Sequence, residues 1–242
     1  MAKRKLAYDL ILWGATGFTG ALVARHLITH YGVDGELRWA LAGRDRSKLE
    51  QLRAELVDAR DPEALPLVIA DSEDPDSLAA MVEASRVICS TVGPYARFGS
   101  GLVAACAAAG TDYCDLTGEV PWMVDMIASY QAQAEQSGAR IVQPCGFDSI
   151  PSDLGVWFLQ QQMMAHHGVY AEQVKGRVGR VSGAASGGTV ASMLGMVEQA
   201  AADRAVREAL TDPYSLYPAT EPPGRDRPDR MLAQYDRDFE QW

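Results

Sequence analysis

Lysine is scarce in this chain of 242 residues, occurring only at Lys3, Lys5, Lys48 and Lys175. The residues four places before Lys48 and Lys175 are Arg44 and Ala171, so a Tyr-x-x-x-Lys dyad is absent. Cysteine is just as sparse. Cys89, Cys106, Cys114 and Cys145 form no Cys-x-x-Cys pair and sit beside apolar neighbours. That gives no support to a zinc site or a disulfide framework and fits a reducing compartment. No His/Asp/Glu grouping has metal-ligand spacing, so no metal is expected. The adjacent His166 and His167 would point in different directions on a helix. No Gly-x-Ser-x-Gly nucleophile elbow occurs. Long apolar runs are missing too. The longest charge-free stretch, Val181 to Val197, is rich in Gly, Ser and Thr and falls short of the roughly 20 apolar residues a membrane span needs. The basic start, Met1 to Lys5, leads into an apolar run that soon meets Asp9, which does not read as a secretory leader.

Positive charge is in deficit. Lys and Arg number 22 against 32 Asp and Glu, a net charge of −10. An acidic chain is poorly matched to a polyphosphate backbone, so no nucleic-acid partner is expected. Hydrophobic residues at 48% and charged residues at 22% are near the values of soluble globular proteins.

The first half alternates short apolar runs with helical patterns. Strands are predicted at Tyr8 to Trp13, Leu37 to Ala42, Leu65 to Ala70, Val87 to Val92, Asp112 to Leu116 and Ile141 to Cys145. Helices are predicted from the glycines after Trp13 to about His30, and over Arg46 to Ala59, Pro75 to Ala84, Gly101 to Ala109 and Pro121 to Gln136. Such alternation predicts an α/β fold, a Rossmann-like doubly wound parallel sheet in residues 1–150. Residues 151–242 read as a second, incomplete α/β domain. It has a helix over Asp153 to His166, a strand over Gln173 to Val181 and a helix within Gly187 to Leu210. Its end is an irregular tail, since 5 of the 12 prolines lie in the last 40 residues.

The sharpest local signal is Gly14-Ala15-Thr16-Gly17-Phe18-Thr19-Gly20. It follows a predicted strand and opens a predicted helix. Glycines permit a tight turn and close approach of backbone to a pyrophosphate, and the helix N-terminus offers unpaired N–H groups. Thr16 and Thr19 could add hydroxyl donors. The alternative is a sharp strand-to-helix turn with no ligand. At the end of the second strand an NAD site would carry an acidic residue; here the chain reads Gly43-Arg44-Asp45-Arg46-Ser47-Lys48. Arg44 stands where a guanidinium could fork onto a 2′-phosphate, with Ser47 and Lys48 as helpers, so NADP is favoured over NAD. Asp45 could instead cap the next helix or pair with Arg46. Asp71 ends the third strand and either faces the adenine or serves as a turn residue. Val92-Gly93-Pro94-Tyr95 ends the fourth strand, beside the expected crevice.

At Gly14 to Gly20, Gly43-Arg44, Val92 to Tyr95, Tyr113 to Glu119 and Cys145 to Asp153, the chain resembles the saccharopine dehydrogenase-like oxidoreductases, and most closely their trans-acting enoyl reductase branch. The resemblance spans about residues 6–242, and the run Gly146-Phe147-Asp148-Ser149-Ile150-Pro151-Ser152-Asp153 and the later Ser186-Gly187-Gly188-Thr189 are more specific than the glycine turn. It implies an NADP-binding Rossmann domain, a second domain on a mixed sheet, and reduction of an enoyl double bond in lipid or glycolipid assembly. The implied partners are the nicotinamide cofactor and a lipid-like acyl substrate. A cytoplasmic location, peripheral contact with the plasma membrane and a homodimer also follow only from the resemblance. Members of this branch continue beyond a point like Trp242, so a ragged second domain is expected. Hydride would come from the cofactor, and candidate proton donors are Tyr95 and Asp148, with Tyr113 and Ser149 nearby. Tyr95 could equally be a packing aromatic and Asp148 a helix cap. The competing reading is a cofactor-binding or scaffold protein without turnover.

Overall fold

The computed structural model describes residues 6–33, 35–57, 61–178, 186–218 and 235. Its first apolar run forms β1 (Tyr8–Trp13), and the glycine turn leads into α1 (Phe18–Tyr31). β2 (Trp39–Gly43) and α2 (Arg46–Leu56) follow, then a short 3-10 turn at Pro62–Ala64 and β3 (Leu67–Ile69). α3 (Pro75–Ala84), β4 (Ser85–Ser90), the single turn α4 (Tyr95–Phe98) and α5 (Ser100–Ala109) come next. β5 (Asp112–Cys114), α6 (Val120–Ser137) and β6 (Ile141–Val142) complete the sheet. All pairings are parallel, in the order β3-β2-β1-β4-β5-β6. This is the doubly wound arrangement that the alternation predicts, with the order reversing between β1 and β4.

Local chemistry places the element ends. The Asp45 side chain accepts the Lys48 N–H at 3.1 Å and starts α2, and Asp74 does the same for α3 through the Asp76 N–H. α5 and α6 stop at Gly110 and Gly138, both left-handed with φ of +69° and +82°, a conformation glycine adopts without strain. β5 and β6 are shorter than their apolar runs. After Cys114 the Asp115 side chain turns back to accept the Thr117 N–H, and β6 gives way at Pro144, which has no N–H for a ladder.

Two apolar layers flank the sheet. Leu12, Leu27, Leu41, Leu49 and Leu65 lie on the face covered by α1 and α2. Ile11, Met81, Ile88, Val103, Tyr113 and Trp122 fill the face covered by α3, α5 and α6. Exposed ion pairs fasten strand entrances: Arg38 with Asp9, and Arg140 with Asp112.

Beyond β6 the described residues form α7 (Ile150–His167), α8 (Gly187–Ala202) and α9 (Arg204–Thr211). None of the three buries a residue, and Trp157 and Phe158 of α7 are 62% and 59% exposed. One expectation is corrected here. Residues 173–178 of the predicted strand Gln173 to Val181 are irregular, because no neighbouring strand pairs with them; residues 179–181 lie outside the described set. The helix expected within residues 187–210 is α8, and Asp203, whose side chain accepts the Ala205 N–H, starts α9 directly after it. The tail falls outside the described residues from 219 onward, apart from Tyr235. Among the described residues, no helix is long and apolar enough to cross a membrane.

Candidate functional site

The site is built where β1, β2 and β4 end. Gly14 leaves β1 with φ +84°, and a Cβ there would come within 2.5 Å of the Val92 side chain and 2.9 Å of the Thr91 hydroxyl. Glycine at this position therefore lets the β1 turn and the β4 end meet. Gly20, one turn into α1, faces the Gly14 backbone so closely that a Cβ would overlap the Gly14 carbonyl oxygen. Gly17 is the N-cap of α1 and makes no side-chain cap bond. The first N–H groups of α1 are thus left to an outside acceptor, at the positive end of the helix dipole.

A cleft of about 260 Å³ opens at this turn, lined by Gly14, Thr16, Gly17, Arg44, Ser72 and Thr91, with Trp13, Gly43, Val92, Gly93 and Phe98. The residues fit a dinucleotide. The glycine turn leaves room that a Cβ would fill, uncapped N–H groups stand beside it, and an exposed guanidinium, that of Arg44, lies at one side.

The structure brings together Gly14, Thr16, Gly17, Arg44, Val92 and Gly93 from the sequence-predicted set. The others lie around the cleft without lining it. Ala15 is fully buried under the turn, Phe18 is 72% exposed at the start of α1, and Thr19 is half-buried in its first turn. Ser47 and Lys48 are exposed in the first turn of α2, and the Lys48 ammonium lies 3.7 Å from Asp45. Asp71 takes the turn role: its carboxylate accepts the Glu73 N–H at 3.0 Å, and the neighbouring Ser72 reaches the cleft. Pro94 is the N-cap of α4.

The two candidate proton donors are placed apart from the cleft lining. Tyr95 is 4% exposed, and its hydroxyl donates to the Ser90 carbonyl at 3.2 Å while accepting the Leu116 N–H at 3.4 Å. Burial pushes its phenol up, and the Asp115 charge adds to the effect. Asp148 is exposed beside Gly146, and the N-cap of α7 is Ser149, one residue later. Ser149 lines a second hollow of about 620 Å³ with Val142, Gln143, Pro144, Ile150 and Asp153.

Two buried carboxylates escaped sequence reasoning, although the segment Tyr113 to Glu119 holds both. Asp115 is 3% exposed and accepts from the Tyr113 hydroxyl at 2.8 Å, the Thr117 N–H at 3.1 Å and the Gln143 amide at 3.4 Å. Burial raises its pKa to about 6 against the lowering effect of those donors. Glu119 is also 3% exposed and accepts the Tyr95 and Ala96 N–H groups, each at 2.8 Å. The sequence signal for Asp115 is an acid directly after a strand, and Glu119 has none. Ser72, Thr91 and Phe98 were likewise missed as cleft residues, because nothing local distinguishes them. Cys89 and Cys114, register partners on β4 and β5, are hydrogen-bonded through their thiols, which lowers the Cys89 pKa and raises that of Cys114. Among the described residues no grouping could hold a metal ion.

A family model described as the saccharopine dehydrogenase NADP-binding domain matches residues 10–142, from β1 to the end of β6. The chain belongs to that family. The chain is 41% identical over 229 residues to the trans-acting enoyl reductase of Mycobacterium tuberculosis H37Rv, covering 89% of this chain and 51% of that protein. It is 38% identical over 227 residues to the trans-acting enoyl reductase of Mycobacterium leprae, again covering 89% and 51%. The chain thus spans about half the length of these curated relatives. Among solved structures, the apo saccharopine dehydrogenase (L-Glu forming) of Saccharomyces cerevisiae matches with a TM-score of 0.50 and 18% identity, over 64% of this chain and 31% of that one. That likeness supports the Rossmann-like fold.

Proposed function

We propose that this chain is the cofactor-binding part of an NADP-linked reductase that saturates an enoyl double bond of a lipid-like acyl substrate, in lipid or glycolipid assembly. The observation that carries the reading is Arg44, exposed at the end of β2 and lining the cleft beside the uncapped start of α1. The family description and the names of the mycobacterial relatives support the cofactor and the reaction class.

When bound, the nicotinamide supplies a hydride to one alkene carbon, and a proton completes the neighbouring carbon. The residues of this chain would do the following. The Gly17 N–H is taken by the Gly14 carbonyl at 3.0 Å, so the N–H groups of Phe18 and Thr19 would hold the pyrophosphate, Thr16 would add a hydroxyl, and Arg44 would pair with the 2′-phosphate. Thr91, Val92, Gly93 and Phe98 line the cleft and would form the wall toward the nicotinamide end. The reduced thiols of Cys89, Cys106, Cys114 and Cys145 support a reducing, cytoplasmic setting, and a lipid-like substrate would draw the reaction to or near the plasma-membrane surface.

Calorimetric titration with NADPH and NADH tests the reading. NADPH is expected to bind well and NADH weakly, and Arg44→Ala is expected to weaken NADPH by about tenfold or more while sparing NADH, as loss of a charge-assisted bond predicts. Equal binding of both nucleotides, unchanged by the substitution, would overturn it. A second reading, cofactor binding without turnover, draws on the burial of the Tyr95 hydroxyl against the Ser90 carbonyl, which leaves that phenol off the cleft lining. Oxidation of bound NADPH in the presence of an enoyl thioester separates the two.

A further inference from the structure

Glu119 belongs to the start of α6 as its N-cap, but its carboxylate serves other elements. Oε1 accepts the Tyr95 N–H at 2.8 Å and the Ser192 hydroxyl at 2.7 Å, and Oε2 accepts the Ala96 N–H at 2.8 Å. Tyr95 and Ala96 open α4, whose N-cap, Pro94, offers no capping side chain. The Glu119 carboxylate takes over that cap and meets the positive end of the turn. Ser192 lies on α8, so the same group ties α8 to α4.

The residues held in this way form one wall of the cleft. Val92 and Gly93 precede α4, Phe98 ends it, and all three line the cleft. Arg44 and Ser72 lie on its other side, at the ends of β2 and β3. Gly93 links the two: a Cβ there would be 3.4 Å from the Tyr95 ring and 3.8 Å from the Ser192 hydroxyl. Tyr95 is braced from behind by the Trp122 ring, with centroids 5.4 Å apart.

We infer that Glu119 is a positioning residue, which sets the Val92–Phe98 wall for the nicotinamide end of the cofactor and couples it to α8. The inference rests on the NADP reading of the cleft. A buried carboxylate satisfied by three donors holds all of them in register, and replacing one oxygen with a donor leaves an N–H group unpaired. Glu119→Gln does this with almost no change in volume. Its effect should fall on the α4 wall and spare the Arg44 side.

The test uses the full chain and two probes, NADPH and 2′,5′-ADP, which carries the adenosine end but no nicotinamide. Glu119→Gln is expected to weaken NADPH by about tenfold, as loss of a charged hydrogen bond predicts, while 2′,5′-ADP stays within about twofold. Ser192→Ala, which leaves the α4 cap in place, should shift NADPH in the same direction by about threefold. Equal weakening of both probes, or no weakening of NADPH, would make Glu119 a structural residue only and overturn the inference. If Glu119→Gln does not fold, the ratio of the two affinities in Ser192→Ala decides by the same criterion. Wild-type protein that binds neither probe would instead overturn the NADP reading, and the inference with it.

Discussion

The Tyr113 hydroxyl donates a 2.8 Å hydrogen bond to the Asp115 carboxylate inside the core, two residues away on the same chain end. Both groups are almost fully buried, and burial raises the Asp115 pKa to about 6 despite the donors around it. A buried acid in this state charges the interior at neutral pH, with consequences for stability.

Asp115 has a folded pKa above its ordinary value of 3.8. The folded protein therefore holds this proton more tightly than the unfolded chain. The contribution is fully present below about pH 4 and is lost as pH rises through about 6. Urea unfolding should show stability falling on the order of 2 kcal/mol between pH 4.5 and 7, and Asp115→Asn should flatten that slope. A wild-type slope that survives the substitution would exclude Asp115 as its source. Below pH 4 the trend reverses. The Arg38 hydrogen bonds hold Asp9 low; for Asp112, burial raises the pKa but hydrogen bonds from Arg140 outweigh it. Both contributions are lost as those carboxylates take up protons.

Gly20 and Gly17 should respond differently to the same methyl. A Cβ on Gly20 would overlap the Gly14 carbonyl, whereas on Gly17 its nearest neighbour is that oxygen at 3.4 Å. Gly20→Ala is expected to cost about 1–3 kcal/mol in denaturant unfolding, the range for overpacking. Gly17→Ala should keep the fold and weaken NADPH, because the methyl crowds the N–H groups at the start of α1. Equal melting temperatures for the two variants would contradict this geometry.

Tyr95→Phe removes a hydroxyl that donates to the Ser90 carbonyl and accepts from the Leu116 N–H. Leaving both groups without that partner should destabilise the fold by about 1 kcal/mol and change NADPH affinity little. Unchanged stability together with lost enoyl reduction would reassign Tyr95 to proton transfer.

Limited trypsin digestion should cut first after Lys175 or Arg177, exposed residues of the irregular segment that follows α7. Helices α7, α8 and α9 bury no side chain, so opening there exposes little new apolar surface. The sheet region should persist as a resistant fragment, identified by mass. Equal resistance on both sides of residue 150 would refute the expectation.

The parts of this protein written in its sequence are those set by neighbours along the chain. The apolar runs that became six parallel strands, the Gly14–Gly20 turn, and the start of α3 at Pro75 depend on local periodicity and backbone freedom. Arg44 was legible for the same reason, as the residue directly after a strand. The tertiary structure decided what depends on distant partners. The Tyr95 hydroxyl turned into the core because Ser90 and Leu116 meet it there, and Glu119 acquired its role from Tyr95, 24 residues earlier, and Ser192, 73 residues later. Hydrogen bonds of that span carry no local pattern: a buried carboxylate has its place only once the sheet has brought its donors together.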